Sequence, residues 1–177
     1  MRVVGGRHRG RRLQTPRGER TRPTSDRVRE ALFNLVGPVD DATVLDLFAG
    51  SGALGIEALS RGARRCVFVE SDRVAVRVIK ANLTNLGLTG AFVEPRDALH
   101  VLRDAGAAGR RFDLVLFDPP YGEWSALEIE LARLLPSSVE PTGLVVVETE
   151  ARVEPTLPFE LVTSRRYGST RLTLYTP

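Results

Sequence analysis

Val44-Leu45-Asp46-Leu47-Phe48-Ala49-Gly50-Ser51-Gly52-Ala53-Leu54-Gly55 joins a short apolar run to a glycine-rich turn and then to a helical pattern. A strand that empties into such a turn and then a helix is the opening unit of an open α/β sheet. Its turn lies at the sheet's carboxyl edge, where these folds bind ligands. Gly50 and Gly52 let the backbone turn tightly and approach a ligand with no side chain between. The Gly50-x-Gly52-x-x-Gly55 spacing also fits a dinucleotide fingerprint, and Glu70 stands where a ribose-binding acid is expected. The glycines therefore leave the cofactor open. Asp46 is more selective: its carboxylate, just before the turn, would repel a pyrophosphate and attract a zwitterion with a free ammonium.

Strand and helix patterns alternate after this unit. They predict a helix across Ala53 to Leu59, a strand over Cys66 to Val69 and a helix from Asp72 to about Leu86. Ala91-Phe92-Val93 reads as a third strand, Ala98 to Leu102 as a helix, and Phe112 to Phe117 as a fourth strand. A helix from about Ser125 to Leu135 and a strand over Gly143 to Val147 follow. Strands this continuously apolar belong in a parallel sheet covered on both faces. Phe159 to Arg166 and Arg171 to Tyr175 instead alternate around Gly168-Ser169, which predicts a closing hairpin. The expected fold class is α/β and Rossmann-like: a seven-stranded, mostly parallel sheet with a C-terminal antiparallel hairpin. Before the sheet, residues 2–14 read as a small β-hairpin, and Pro16, Gly18 and Pro23 mark a linker. Thr24 or Ser25 can cap a helix that begins near Asp26, with Val28, Ala31, Leu32 and Leu35 as its apolar face. Gly37-Pro38 ends it.

The 177 residues suit one well-cored domain with an appendage, divided into a basic arm at 1–22 and a body at 23–177. Residues 1–29 hold ten arginines against Glu19 and Asp26, a net charge of +8, whereas the remainder carries −5. A basic arm on an acidic body is a signature of polyanion binding. Cys66 is the single cysteine, which excludes an internal disulfide, and two distant histidines offer no metal-ligand spacing. No metal site is expected. Prolines and glycine pairs spoil the amphipathic helix of a transit peptide, and neither a secretory apolar core nor a membrane span is present. A cytoplasmic, monomeric protein is expected. Lys80 is the only lysine, so the preference for arginine reflects genome composition rather than function.

Asp118-Pro119-Pro120-Tyr121 closes the fourth strand. Two prolines cannot donate to a ladder, so the strand stops and leaves a carboxylate, two carbonyls and an aromatic ring at the sheet's edge. The stretch resembles the D/N-P-P-Y/F motif of S-adenosylmethionine-dependent amino-methyltransferases. That resemblance implies catalytic roles for Asp118, Pro119, Pro120 and Tyr121, with acceptors orienting an amino group and the ring stacking on a base. Asp46-x-Phe48-x-Gly50-x-Gly52 resembles the first motif of class I methyltransferases, which implies that Asp46, Phe48, Ala49, Gly50, Ser51 and Gly52 hold the methionine part of the cofactor. By the same resemblance Glu70 holds the ribose, Asp97 and Ala98 the adenine, and Ser71 and Asp118 also bind the cofactor. The expected product is S-adenosylhomocysteine.

Arg22-Pro23-Thr24-Ser25-Asp26-Arg27-Val28-Arg29-Glu30-Ala31-Leu32-Phe33-Asn34 resembles the R-P-T-x-D-R-V-R-E-x-L-F-N segment of the RsmD family, bacterial 16S ribosomal RNA guanine-966 N2-methyltransferases. Val3-Val4-Gly5-Gly6-Arg7-His8-Arg9-Gly10-Arg11-Arg12-Leu13 is similar to that family's opening. His8 departs from it, where an aromatic such as tryptophan is expected. The resemblance implies methyl transfer to a guanine N2 in 16S rRNA, presented by an assembled or partly assembled 30S subunit. Arg7, Arg9, Arg11 and Arg12 would grip phosphates, and Arg22, Thr24 and Arg27 would reach the target nucleotide. Trp124 would cover either the base or the sheet edge, and His100 is an ordinary helix residue. Three rivals share parts of this pattern: a DNA adenine-N6 methyltransferase, an NAD-dependent oxidoreductase and a non-catalytic RNA-binding module. The first usually carries a recognition domain, the second needs a proton donor, and the third leaves the acids without a purpose.

Overall fold

The structure, a computed structural model, describes residues 1–16, 24–120 and 122–177. Tyr121 and Arg22 lie outside the described residues. Among those described, seven strands form one sheet: β1 (Thr43–Leu47), β2 (Arg65–Val69), β3 (Ala91–Glu94), β4 (Phe112–Phe117), β5 (Val139–Glu150), β6 (Glu160–Tyr167) and β7 (Thr170–Thr176). Five helices cover it: α1 (Asp26–Val36), α2 (Ala53–Ser60), α3 (Arg73–Leu86), α4 (Ala98–Ala107) and α5 (Trp124–Leu134). No helix among the described residues is long and apolar enough to cross a membrane.

The strand order is β3-β2-β1-β4-β5-β7-β6. The first five run parallel, and β7 inserts antiparallel between β5 and β6. From β1 the chain builds outward through β2 and β3, then returns to lay β4 on the opposite side. The order thus reverses between β1 and β4, which is the ligand-binding switch point of an open sheet. Asp46 lies on β1 and Asp118 directly follows β4, the two strands that flank it.

Alternation along each strand sends Val44, Leu116 and Val146 to one face, with α1, α2, α3 and the N-terminal hairpin. Leu45, Val115 and Val147 go to the other, with α4 and α5. Two residues beyond the first set, on the same face, stand Asp46, Asp118 and Glu148. Three adjacent strands therefore present a row of acids at one end of one face.

The helix signals read as expected, with refinements. Ser25, not Thr24, caps α1, its Oγ accepting from Val28 N at 3.3 Å. Asp72 caps α3 through the amides of Val74 and Ala75. The fourth helix runs on to Ala107 because Ala105, one turn past Leu102, continues the buried stripe. β5 is longer at both ends than Gly143 to Val147, and its extension carries Glu148 and Glu150.

The hairpin closes on an antiparallel bridge between Arg2 and Arg12. Val3 and Leu13 are buried in the same core as Leu32 and Phe33, worth roughly 1.5–3 kcal/mol apiece. Its turn wraps the C-terminal end of α2: Arg7 N donates to Ser60 O, His8 N to Ser60 Oγ, and Ser60 Oγ to Gly5 O. Gly6, at φ +71°, could not be another residue, since a Cβ there would lie 1.9 Å from Ser60 O.

Candidate functional site

The turn after β1 is built by its own backbone groups. Gly52, left-handed at φ 78°, caps α2. Gly55 packs so tightly that a Cβ would sit 2.4 Å from the Phe68 ring. Asp46, 1% exposed, lies beneath, its Oδ2 accepting from Gly55 N at 2.9 Å. Phe48 holds φ 60°, an uncommon value for a bulky residue and a local strain at the ligand edge. Its ring meets Phe117 edge-on at 5.0 Å, and Phe117 meets Trp124 the same way at 5.9 Å. Trp124 is thus buried against the sheet edge, behind the proline motif.

Glu70 ties the two turns together. Its Oε2 accepts from Gly50 N at 2.9 Å and its Oε1 from Asp72 N at 2.8 Å. Each oxygen keeps a lone pair for a ligand hydroxyl. Asp97 caps α4, accepting from His100 N at 3.1 Å, with His100 Nδ1 3.4 Å from the same oxygen. Ala98 opens that helix, so its N–H has no intrahelical partner. Ser71 is exposed beside Glu70. Ser51 O accepts from Asn82 Nδ2, which also donates to Gln14 O, so the arm leaves the body beside the glycine turn.

Asp118 is half-buried at the end of β4. Its Oδ2 faces Thr24 Oγ at 3.2 Å, and the same hydroxyl lies 2.9 Å from Glu148 Oε2. Arg29, fully buried on α1, fixes Thr24 by donating to its carbonyl at 2.6 Å and also bonds Arg2 O and Asp26. Pro120 O is taken by Glu123 N at 3.2 Å, whereas among the described residues nothing donates to Pro119 O. Of the two motif carbonyls, Pro119's is the one left for a ligand.

Charge at this edge is lopsided. Burial pushes Asp46 up to about 8, with the nearby charges of Asp118 and Glu70 adding to the rise. Burial likewise lifts Asp118 to about 7 and Glu148 well above the carboxylate range. Among the described residues no cation pairs with Asp46, Glu70 or Asp118. Such an edge fits a ligand that brings an ammonium and a sulfonium, and it opposes a pyrophosphate. S-adenosylmethionine therefore fits the donor set: carboxylates for its positive groups, Glu70 for ribose hydroxyls, and Asp97 with Ala98 N–H for adenine.

The arm residues lie elsewhere. Arg7, Arg9, Arg11 and Arg12 are exposed, and among the described residues none is paired with a carboxylate. Arg7 sits at the C-terminal end of α2, roughly 12 Å along that eight-residue helix from the glycine turn. Arg27 is exposed on the first turn of α1, while Thr24 is buried against Asp118. Sequence reasoning assigned no role to Glu148, Arg29 or Asn82. The signal for Glu148 was a charged residue directly after Val145-Val146-Val147, where a buried strand should have stayed apolar.

The profile of the family described as conserved hypothetical protein 95 matches residues 1–176. YlbH of Bacillus subtilis is 41% identical across 99% of this chain and 98% of that protein. Ribosomal RNA small subunit methyltransferase D of Escherichia coli is 40% identical across 89% of this chain and 78% of its own. A solved structure of a hypothetical protein from Thermus thermophilus superimposes with a TM-score of 0.86 at 38% identity, covering 100% of this chain and 99% of that one.

Proposed function

Because the chain belongs to the RsmD family, we propose that it methylates small-subunit ribosomal RNA with S-adenosylmethionine, at the exocyclic N2 of one guanine. The observation that carries this reading is the pairing at the switch point. Asp118 and the open Pro119 carbonyl directly follow β4, next to Asp46 on β1 and the glycine turn that follows that strand.

When bound, S-adenosylmethionine supplies a methyl group activated by its sulfonium. The chain's residues do the rest. Asp46 and the turn from Phe48 to Gly52 hold the amino-acid end, Glu70 and Ser71 the ribose, and Asp97 and Ala98 the base. Asp118 Oδ1 and Pro119 O accept the two N–H bonds of the guanine amino group, which aims its lone pair along the line of attack. Because nitrogen gains positive charge as the new bond forms, both acceptors bind the transition state more tightly than the ground state. Pro120 stiffens the turn, and Tyr121 stacks on the base. A paired guanine cannot reach this edge, so the target nucleotide is unpaired or flipped out.

The RNA footprint extends from this edge across the helices of the acid-bearing face. Arg22, Thr24 and Arg27 lie in the segment that joins arm to body, and Arg7, Arg9, Arg11 and Arg12 hold phosphates on the arm at 1–22. The protein acts as a cytoplasmic monomer on an assembled or partly assembled 30S subunit.

The test is transfer of labelled methyl to 30S particles that lack the modification, with the modified nucleotide mapped. Free 16S RNA and duplex DNA run in parallel. A single N2-methylguanine in the particle is the expected result. Labelled adenine in the DNA with no label in RNA would overturn the proposal.

A further inference from the structure

Thr24 has one hydroxyl proton, yet its oxygen lies 2.9 Å from Glu148 Oε2 and 3.2 Å from Asp118 Oδ2. One donor cannot serve two carboxylates. With both ionised, one contact would set lone pair against lone pair in a place where unpaired acceptors are costly. An extra proton on one of the acids resolves the conflict. Glu148 is 3% exposed whereas Asp118 opens on the cleft, so the charge belongs on Asp118 and the proton on Glu148.

Resting on the methyl-transfer reading of this site, we propose that Glu148 is a positioning residue that holds a proton and acts on Asp118 through Thr24. The chain runs from the Glu148 O–H to Thr24 Oγ, and from the Thr24 O–H to Asp118 Oδ2. It leaves Asp118 Oδ1 for the amino group of the target base, and it keeps Asp118 ionised by donating to it. Arg29 holds the middle of the chain in place through the Thr24 carbonyl.

Among the described residues two charged groups face Glu148 from the elements around it. Asp118, directly after β4, pushes its pKa up and Arg29 on α1 pulls it down, while Leu172, opposite on β7, is apolar. Burial outweighs the cation, and the net direction is upward. The guanidinium does not cancel the effect because its hydrogen bonds go to Thr24 O, Arg2 O and Asp26 rather than to Glu148.

The experiment uses the full chain and the variants E148A, E148Q, T24V and T24S. Infrared difference spectra of the ligand-free protein near neutral pH should show a protonated carboxyl that E148Q removes. E148A and T24V should each lower kcat about tenfold, the worth of one hydrogen bond to a charged group, without raising KM for the cofactor. T24V should also move the acid limb of the pH profile upward, since Asp118 loses a donor that favours its charge. E148Q should recover most of the loss, because its amide N–H can replace the carboxyl proton, and T24S should do the same. Stabilisation by S-adenosylhomocysteine reports that each variant is folded. Absence of a Glu148 carboxyl band, or an E148Q as impaired as E148A, would overturn the proposal. If the wild type methylates no RNA while the band is present, the functional reading falls and the proton on Glu148 stands.

Discussion

Asp46 is fully buried with no cation paired to it among the described residues, and its environment raises its pKa from 3.8 to about 8. A carboxyl raised in the folded state holds its proton more tightly there than in the unfolded chain. Its stabilising contribution is complete below the unfolded value and is lost as pH climbs through the folded one. The ligand-free protein should therefore lose melting temperature between pH 5 and pH 9 (about several degrees). Asp46→Asn should reduce that decline, leaving the part due to the raised Asp118 and Glu148, and melt higher than the wild type at pH 9, while binding S-adenosylmethionine about tenfold or more weakly. Calorimetry across the pH range with and without cofactor checks both. Asp118 sits differently, open on the cleft and bonded to Thr24. Asp118→Ala should cut single-turnover methylation about 100-fold or more, with cofactor affinity nearly unchanged. Normal turnover by that variant would remove Asp118 from the chemistry. Acidic residues at strand ends were legible in sequence because the strands that carry them are so plainly apolar. Glu148 was not, since its meaning comes from Thr24, which is 124 residues away.

The glycine turn and the hairpin are elements whose sequence signals were strong for steric reasons. A Cβ on Gly55 would meet the Phe68 ring and Cys66 Sγ at 2.4 and 2.6 Å, so α2 could not lie against β2. Gly55→Ala should destabilise the fold by ~1–3 kcal/mol and weaken cofactor binding together. Gly6→Ala tests a separate element. It should lift the hairpin turn from Ser60, speed amide exchange at Arg7 and His8, and lower RNA affinity while leaving cofactor affinity intact. A variant whose arm stays protected would show that the contact with Ser60 is dispensable. Element ends were read less well than element identities. Pro141-Thr142-Gly143 interrupts the strand pattern ahead of Leu144, but pairing with β4 carries β5 through a register shift there and back to Val139. The apolar run that marks α4 fades after Leu102, yet burial of Ala105 one turn on extends that helix to Ala107.

At the scale of the whole molecule, charge is divided between an arm that is net positive and a body that is net negative. The four arm arginines are exposed, Arg11 also donating to Asn85 O, while the acids converge on the switch point, so the two regions of opposite charge are spatially separate. Affinity for RNA should fall steeply with salt. Replacing Arg7, Arg9, Arg11 and Arg12 with alanine should flatten the log–log slope by about 0.7–0.9 for each phosphate that is no longer neutralised. An unchanged slope would move the RNA footprint off the arm. By itself, the sequence determined the sheet, its parallel core, the closing hairpin and the acids at strand ends. These depend on periodicity, on glycine and proline sterics, and on local caps, all of which act within a few residues. Tertiary structure alone decided that Thr24 leaves the helix cap to Ser25 and enters the site. It also decided that Arg29 is buried, that Asn82 ties the arm to the glycine turn, and that Glu148 faces Asp118. Those relations join residues far apart in the chain, and they exist only once strands β1, β4 and β5 lie side by side and α1 packs on the same face of the sheet.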